Sequence, residues 1–357
     1  MSKKLILAAV LGAAYATPAL AANDGCDPSS SKSVIAVYSN RHDVVSMQLL
    51  TTDIYLMDPE VVDENGMLTV WKHLPGPAGE WAPAVSPDGK GRIVFDSNRN
   101  RGERQINASE LFLMRASGLG PQQLLTRGSS ASWSPDGKRI SFHASASGTG
   151  THINPNPGGP TTDSAIFVET VGDLLEGMAP RQLTHPPAGQ IDDDSEWSPV
   201  GERIVFIRKN RVNPDPNNPT SAEIYAIESD GTGLTRLTDN NEEERAPAVS
   251  PDGQRIVYSC RKGIRGGNTL ELCIMDSDGA VTVVTGNAVA DLSPRFSPDG
   301  TKILFQRPMA NPPPNQGQQT WIMYADGSMP EQLTAPPGIH NFPSLAEVRT
   351  NCHQDED

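Results

Sequence analysis

The sequence predicts an all-β protein, a six-bladed β-propeller with four-stranded blades. Three observations carry that expectation: a turn phrase that returns along the chain, a second strand type that recurs six times, and two chain ends that align as halves of one blade. With Gly 32 and Pro 31 in 357 residues, the composition favours many turns and short strands over long helices.

The turn phrase reads Ser86-Pro87-Asp88-Gly89, Ser134-Pro135-Asp136-Gly137, Ser250-Pro251-Asp252-Gly253 and Ser297-Pro298-Asp299-Gly300; a fifth copy, Ser198-Pro199-Val200-Gly201, has lost only the Asp. Successive copies stand 48, 64, 52 and 47 residues apart, one blade of roughly 40–45 residues plus loops of varying length. Ser, Pro and Gly at the first, second and fourth positions are the preferences of a type I turn, since Pro presets φ and Gly can take positive φ. An apolar run follows each copy, as at Arg92-Ile93-Val94-Phe95 and Arg203-Ile204-Val205-Phe206. Runs without alternation fit strands covered on both faces, as between neighbouring blades.

A third strand of each repeat is legible as Ile54-Tyr55-Leu56-Met57, Leu111-Phe112-Leu113-Met114, Ala165-Ile166-Phe167-Val168, Ile224-Tyr225-Ala226-Ile227, Leu272-Cys273-Ile274-Met275 and Trp321-Ile322-Met323-Tyr324. At the amino end, Val34-Ile35-Ala36-Val37 aligns with the second strand of a repeat without a first. At the carboxyl end, Phe342-Pro343-Ser344-Leu345-Ala346 aligns with a first strand without a second. These two fragments are expected to share one sheet and close the ring.

Lys3 and Lys4, the apolar residues 5–16 and Ala19-Leu20-Ala21 read as a secretory signal peptide over residues 1–21, leaving 22–357 as the propeller. No later stretch approaches the ~20 apolar residues of a spanning helix, so membrane insertion is not expected. Lys+Arg 29 against Asp+Glu 43 gives a net charge of −14, which argues against nucleic acid as a partner. A periplasmic or secreted monomer is expected.

In an exported chain four cysteines invite pairing. Cys26 and Cys352 flank the place where the closing sheet lacks its Ser-Pro turn, and a bond between them would replace it. Cys260 and Cys273 lie symmetrically about Gly266-Gly267 on successive strands, as in a cross-strand disulfide; two buried thiols are the alternative.

Three positions before the aligned Pro of each first strand, the alignment reads Glu80, Gly128, Asp192, Glu244, Asp291 and His340, with Asp193 adjacent to Asp192. These positions are expected at the mouth of the central channel. A carboxylate ring there suits a basic segment of a partner, or a hard cation such as calcium. Arg41, Arg99, Arg208, Lys209, Arg261, Lys262 and Arg307 begin the neighbouring loops and can instead pair with those acids. His143, His185 and His340 are candidates for a transition-metal site. No G-x-S-x-G, H-E-x-x-H or C-x-x-C motif is present, so no catalytic residue and no cofactor are assigned.

The pattern W-S-P-D-G-K-x-I-x-F, a following I-Y-x-M-D-type strand and a closing R-x-L-T resemble the TolB-type, WD40-like repeat. The resemblance covers essentially the whole chain after the signal peptide. It implies a TolB-like propeller; the function expected from the acidic, loop-rich face and the lack of catalytic motifs is a non-catalytic scaffold that binds a protein or peptide partner in the cell envelope. The chain departs from TolB proper in lacking the α/β domain that precedes that propeller, so a place in the Tol–Pal system is not implied. The same repeat occurs in metal-dependent oligogalacturonate lyases and beside hydrolases, so the alternative is a carbohydrate-active lyase or hydrolase with a metal at the channel mouth.

Overall fold

The structure is a computed structural model, and it describes residues 31–39, 52–64, 67–74, 79–99, 109–146, 164–210, 222–240, 242–261, 269–287, 289–309, 318–334 and 340–349. Its first three strands are β1 (Ser31–Ser39), β2 (Asp53–Val62) and β3 (Leu68–Leu74). A first blade follows as β4 (Glu80–Val85), β5 (Arg92–Ser97), β6 (Glu110–Arg115) and β7 (Gln123–Arg127). The second holds β8 (Ser129–Trp133), β9 (Arg139–Ser145), β10 (Ser164–Thr170), the short helix α1 (Val171–Leu175) and β11 (Arg181–Gln182). The third comprises β12 (Gln190–Trp197), β13 (Arg203–Asn210), β14 (Glu223–Glu228) and β15 (Thr235–Arg236). The fourth is β16 (Glu244–Val249), β17 (Arg255–Cys260), β18 (Glu271–Asp276) and β19 (Val281–Val283). The fifth is β20 (Leu292–Phe296), β21 (Lys302–Pro308), β22 (Gln318–Tyr324) and β23 (Glu331–Gln332), and β24 (His340–Arg349) ends the description.

The blade count is a correction to the sequence reading. Five blades of four strands, not six, are built from one unbroken stretch of chain each. A further four-stranded sheet, in the order β24-β1-β2-β3, takes its strands from both ends and has no turn joining its first two strands. There Val34 pairs with Ala346 and Ile35 with Leu345, both antiparallel. The repeat count treated this sheet as a blade like the others because its second and third strands carry the same apolar runs. What it lacks is the covalent hairpin, so pairing across the whole chain length has to supply its inner edge.

Each sheet is apolar on both faces, and the clusters lie between sheets. Phe95 and Ile93 of the first blade pack with Ile54 and Leu56 of the composite sheet, while Val94 and Leu111 face Trp133 and Phe142 of the second blade. The sequence continues around the ring in that way until Leu304 and Ile322 of the fifth blade meet Tyr55 and Met57 of the composite sheet. Three seams carry an added cation–aromatic contact from a second strand to the next inner strand. Arg92 lies 4.9 Å from the Trp133 ring, Arg139 4.8 Å from Trp197 and Arg255 5.1 Å from Phe296. Arg92 and Arg255 also donate to the carbonyls of Gly137 and Gly300 in the next turn, at 2.6 Å and 3.0 Å.

The Ser-Pro-Asp-Gly turns hold themselves. Asp136 Oδ1 accepts from the Ser134 hydroxyl at 2.6 Å and from the Lys138 amide at 3.0 Å, and Asp88, Asp252 and Asp299 repeat the arrangement. Val200 has no such bond to make. Its side chain lies instead against the next turn, where a Cβ on Gly253 (φ 72) would come within 2.3 Å of it. No helix among the described residues is long and apolar enough to cross a membrane.

Trp133 fills one seam, lies under Arg92 and donates from Nε1 to the Ala84 carbonyl at 2.9 Å. Trp133→Ala is expected to destabilise the protein by about 3–5 kcal/mol in urea unfolding, whereas Leu234→Ala, at an exposed turn, leaves the midpoint unchanged.

Candidate functional site

The channel-mouth alignment places its residues at one height in the ring, each at the start of an inner strand and opposite the end of a second strand. Glu80 faces Ser97, Asp192 faces Arg208, Glu244 faces Cys260 and His340 faces Ser39. Gly128 immediately precedes β8 and Asp291 immediately precedes β20.

The carboxylates of this ring do not stand open to the channel. Glu80, Asp192, Glu244 and Asp291 are buried, and three of them are clasped by a guanidinium of their own blade. Asp192 takes both Arg208 Nε at 2.6 Å and Nη2 at 2.8 Å; Asp291 takes Arg307 in the same way at 2.7 Å and 2.8 Å. Glu80 Oε1 receives Arg99 Nη2 at 2.9 Å and the Ser97 hydroxyl at 3.1 Å. Each guanidinium also lies over a ring of the same blade: Arg99 over Phe112 at 3.9 Å, Arg208 over Tyr225 at 4.9 Å and Arg307 over Trp321 at 4.9 Å. Charge neutralised by a bidentate, desolvated partner is unavailable to a ligand.

The fourth blade departs from the rule in an instructive way. Cys260 occupies the register position of Arg208, and Cys273, opposite Tyr258, occupies that of Tyr225. The two are joined as a disulfide with Cα atoms 5.9 Å apart, so a covalent bond stands where two other blades stack a cation on a ring. The alternative of buried thiols is thereby excluded for this pair, while Cys26 and Cys352 lie outside the described residues. Glu244 consequently has no guanidinium. It accepts from Asn240 Nδ2 at 2.8 Å, from the Ile224 amide at 3.2 Å and from the Thr238 hydroxyl. Burial pushes its carboxyl up to about 7, against the pull of the Thr238 and Asn240 hydrogen bonds. Burial likewise raises Glu80 to about 7, only partly offset by Arg99.

Asp193 lies beside Lys209 Nζ at 2.5 Å, and its Oδ1 is buried without a hydrogen-bond partner among the described residues. Burial lifts it to about 6, with Lys209 opposing and Asp194 and Asp192 reinforcing the rise. His143 is buried on β9 opposite Ser129, and His185, after β11, has Nδ1 3.1 Å from Gln182 Nε2. Only the backbone of His340, at the start of β24, is described. Among the described residues no three His, Cys, Asp or Glu side chains gather into a metal-binding group.

Sequence reasoning missed what happens two residues beyond the ring. Ala82, Ser130, Asp194, Ala246 and Ser293 all take positive φ, between 45 and 53, and a register shift interrupts the inner strand at each. A non-glycine residue in that region costs of order 1–3 kcal/mol and persists only where its surroundings hold it. Part of the hold is visible at Asp96, whose Oδ1 accepts from the Ser130 amide at 3.0 Å across the blade boundary. No periodicity signal distinguishes such residues, because Ala, Ser and Asp carry no common mark. Arg295 of β20, in the fifth blade, pairs with Glu196 of β12, in the third, Nη2 to Oε2 at 3.5 Å.

With that geometry in view, the chain can be set beside known proteins. It is 32% identical over 201 residues to a TolB homolog of Chlorobium chlorochromatii, a match covering 43% of this chain and 44% of that protein. The crystal structure of TolB from Acinetobacter baumannii superposes with a TM-score of 0.60 at 20% identity, covering 87% of this chain and 66% of that one. The chain has a β-propeller fold like that of TolB. A TolB candidate from Agrobacterium tumefaciens gives a TM-score of 0.57 at 20% identity, covering 90% of this propeller and 99% of that chain. The sequence match thus spans under half the length of the Chlorobium homolog. No family model matches.

Two outcomes test the electrostatic reading. Asp192→Ala leaves Arg208 buried without its partner and is expected to cost about 3–5 kcal/mol in chemical unfolding. Glu244 has its folded pKa raised from 4.5 to about 7, so its contribution is fully present below 4.5 and is lost as pH rises through 7. Stability measured in urea is expected to fall between those pH values, and Glu244→Gln to flatten that slope.

Proposed function

We propose that this chain is an exported, non-catalytic β-propeller scaffold that binds a protein or peptide partner of the cell envelope on the face where the inner strands begin. The observation that carries the reading is the ring of strained inner-strand residues at the channel mouth, Ala82, Ser130, Asp194, Ala246 and Ser293. The strain recurs at the same register position in five blades, and such strain collects at ligand clamps. The TolB likeness supports a scaffold role in the same compartment. The signal-peptide pattern supports export, and the disulfide between Cys260 and Cys273 fits an oxidising compartment.

The binding groups are drawn from what the ring leaves exposed rather than from the ring itself. Arg245 is 54% exposed while held to Glu243, and Asp194 and Trp81 are half-buried on the inner strands of other blades. Trp and Arg are residue types that often dominate an interface.

Capture of envelope proteins on immobilised propeller tests the reading. Asp194→Lys combined with Arg245→Glu is expected to abolish capture, while Asp252→Lys, on the opposite turn face, leaves it intact. Capture lost only with the turn-face change overturns the assignment of the face.

A further inference from the structure

The second blade breaks the repeat on the outer wall. In the third, fourth and fifth blades the turn between the third and fourth strands is an Asp-Gly turn, with Asp230, Asp278 and Asp326 each accepting from the amide two residues on. In the second blade α1 takes that place, capped by Thr170, whose hydroxyl accepts from the Asp173 amide at 3.0 Å. Val171 and Leu174 turn inward against Leu113 and Leu125 of the first blade, so the helix lies along β7. Its outward residues are left bare.

Four of the ten large apolar side chains exposed among the described residues sit at this one seam: Leu119 at 64%, Leu124 at 48%, Leu175 at 42% and Met178 at 56%. Isolated exposed apolar residues are ordinary, but a group of them beside a strand edge is an association surface. The strand is β7, outermost in its sheet, and no described strand pairs with its outer edge. It runs for five residues, where the outer strands of the other four blades have two, two, three and two and only β3 of the composite sheet, with seven, is longer. Short outer strands are one way a sheet avoids edge pairing, and this blade does not use it.

We propose that β7 is a self-association edge, pairing antiparallel with β7 of a second copy about a two-fold axis at Leu125. Charge complementarity selects a second copy over a foreign strand. In that register Gln123 faces Arg127 and Leu124 faces Thr126, so no like charges oppose. β7 runs from the turn face to the opposite face, and α1 lies at its turn-face end, where α1 has Asp173 in its first turn, Glu176 as its cap and no basic residue in its last turn. Antiparallel pairing therefore carries Arg127 of each copy toward the acidic helix of the other. Because residues of an added strand alternate between faces, one set meets Leu124 and the other meets Leu175 and Met178. The protein is then a dimer, against the monomer expected from its sequence.

Sedimentation equilibrium of the full chain over a wide concentration range tests this. The wild type is expected to show a monomer–dimer equilibrium, weakened on the order of tenfold or more by Leu124→Lys with Met178→Lys. Arg127→Glu alone is expected to weaken it, and the charge swap Arg127→Glu with Glu176→Arg to restore it. Hydrogen exchange on the wild type needs no variant to fold: the β7 amides should gain protection as concentration rises. A monomer mass at every concentration overturns the proposal. So does a dimer indifferent to these substitutions, or β7 exchange that is independent of concentration, which would leave the edge to another protein.

Discussion

No sheet in this protein can cover itself. Each has two apolar faces and none given over to water, so the first blade, with Phe95 on one side and Val94 on the other, is finished only when sheets stand on both sides of it. Everything else follows from that obligation. Five hairpin-built blades satisfy one another in sequence, and the two ends of the chain must then supply the last sheet between β4 and β20. The aromatic and cationic side chains at the seams refine this arrangement: Trp133, Trp197 and Phe296 each fill a boundary and receive an arginine from the blade before. The boundary between the third and fourth blades has Val249 in the corresponding place and relies instead on contacts such as Val200 on the neighbouring turn.

The ring of acids shows how a pattern with an evident functional reading can belong to the scaffold. Three carboxylates at one height, clasped by Arg99, Arg208 and Arg307 that in turn lie on aromatic rings, tie the inner strand of a blade to its second and third strands. Breaking either half would strand a buried charge, so the unit acts as a fastening, whatever net affinity it adds. Function then falls to the residues just past the fastening, where the inner strands bulge.

Much of the fold was legible in the sequence, and for identifiable reasons. Ser-Pro-Asp-Gly encodes a turn by the conformational limits of Pro and Gly, and the runs after it encode doubly covered strands. Alignment of Val34–Ser39 and Phe342–Ala346 with complementary parts of the repeat anticipated their pairing. The count of continuous blades was less legible, because a strand alignment counts runs and not the hairpins joining them. For the mouth residues the sequence left two readings open, a ring available to a ligand and acids paired with the neighbouring arginines, and gave no means of choosing. Whether Asp192 meets solvent or Arg208 depends on cross-strand register and on Tyr225 beneath it, neither of which is local in sequence. The strained positions left no trace at all, since Ala82 and Ser293 look like any small residue.

The cysteine pair of the fourth blade has a meaning for how the protein matures. Where sister blades secure this corner with a guanidinium that is charged everywhere in the cell, this one uses a bond that exists only after two thiols have lost their electrons. A chain synthesised among reductants would hold both sulfurs as hydrophobic neighbours and leave Glu244 with hydrogen bonds but no covalent brace nearby. Among the described residues the fourth blade is the one that also needs an oxidant, which makes the redox state of its surroundings part of its assembly instructions.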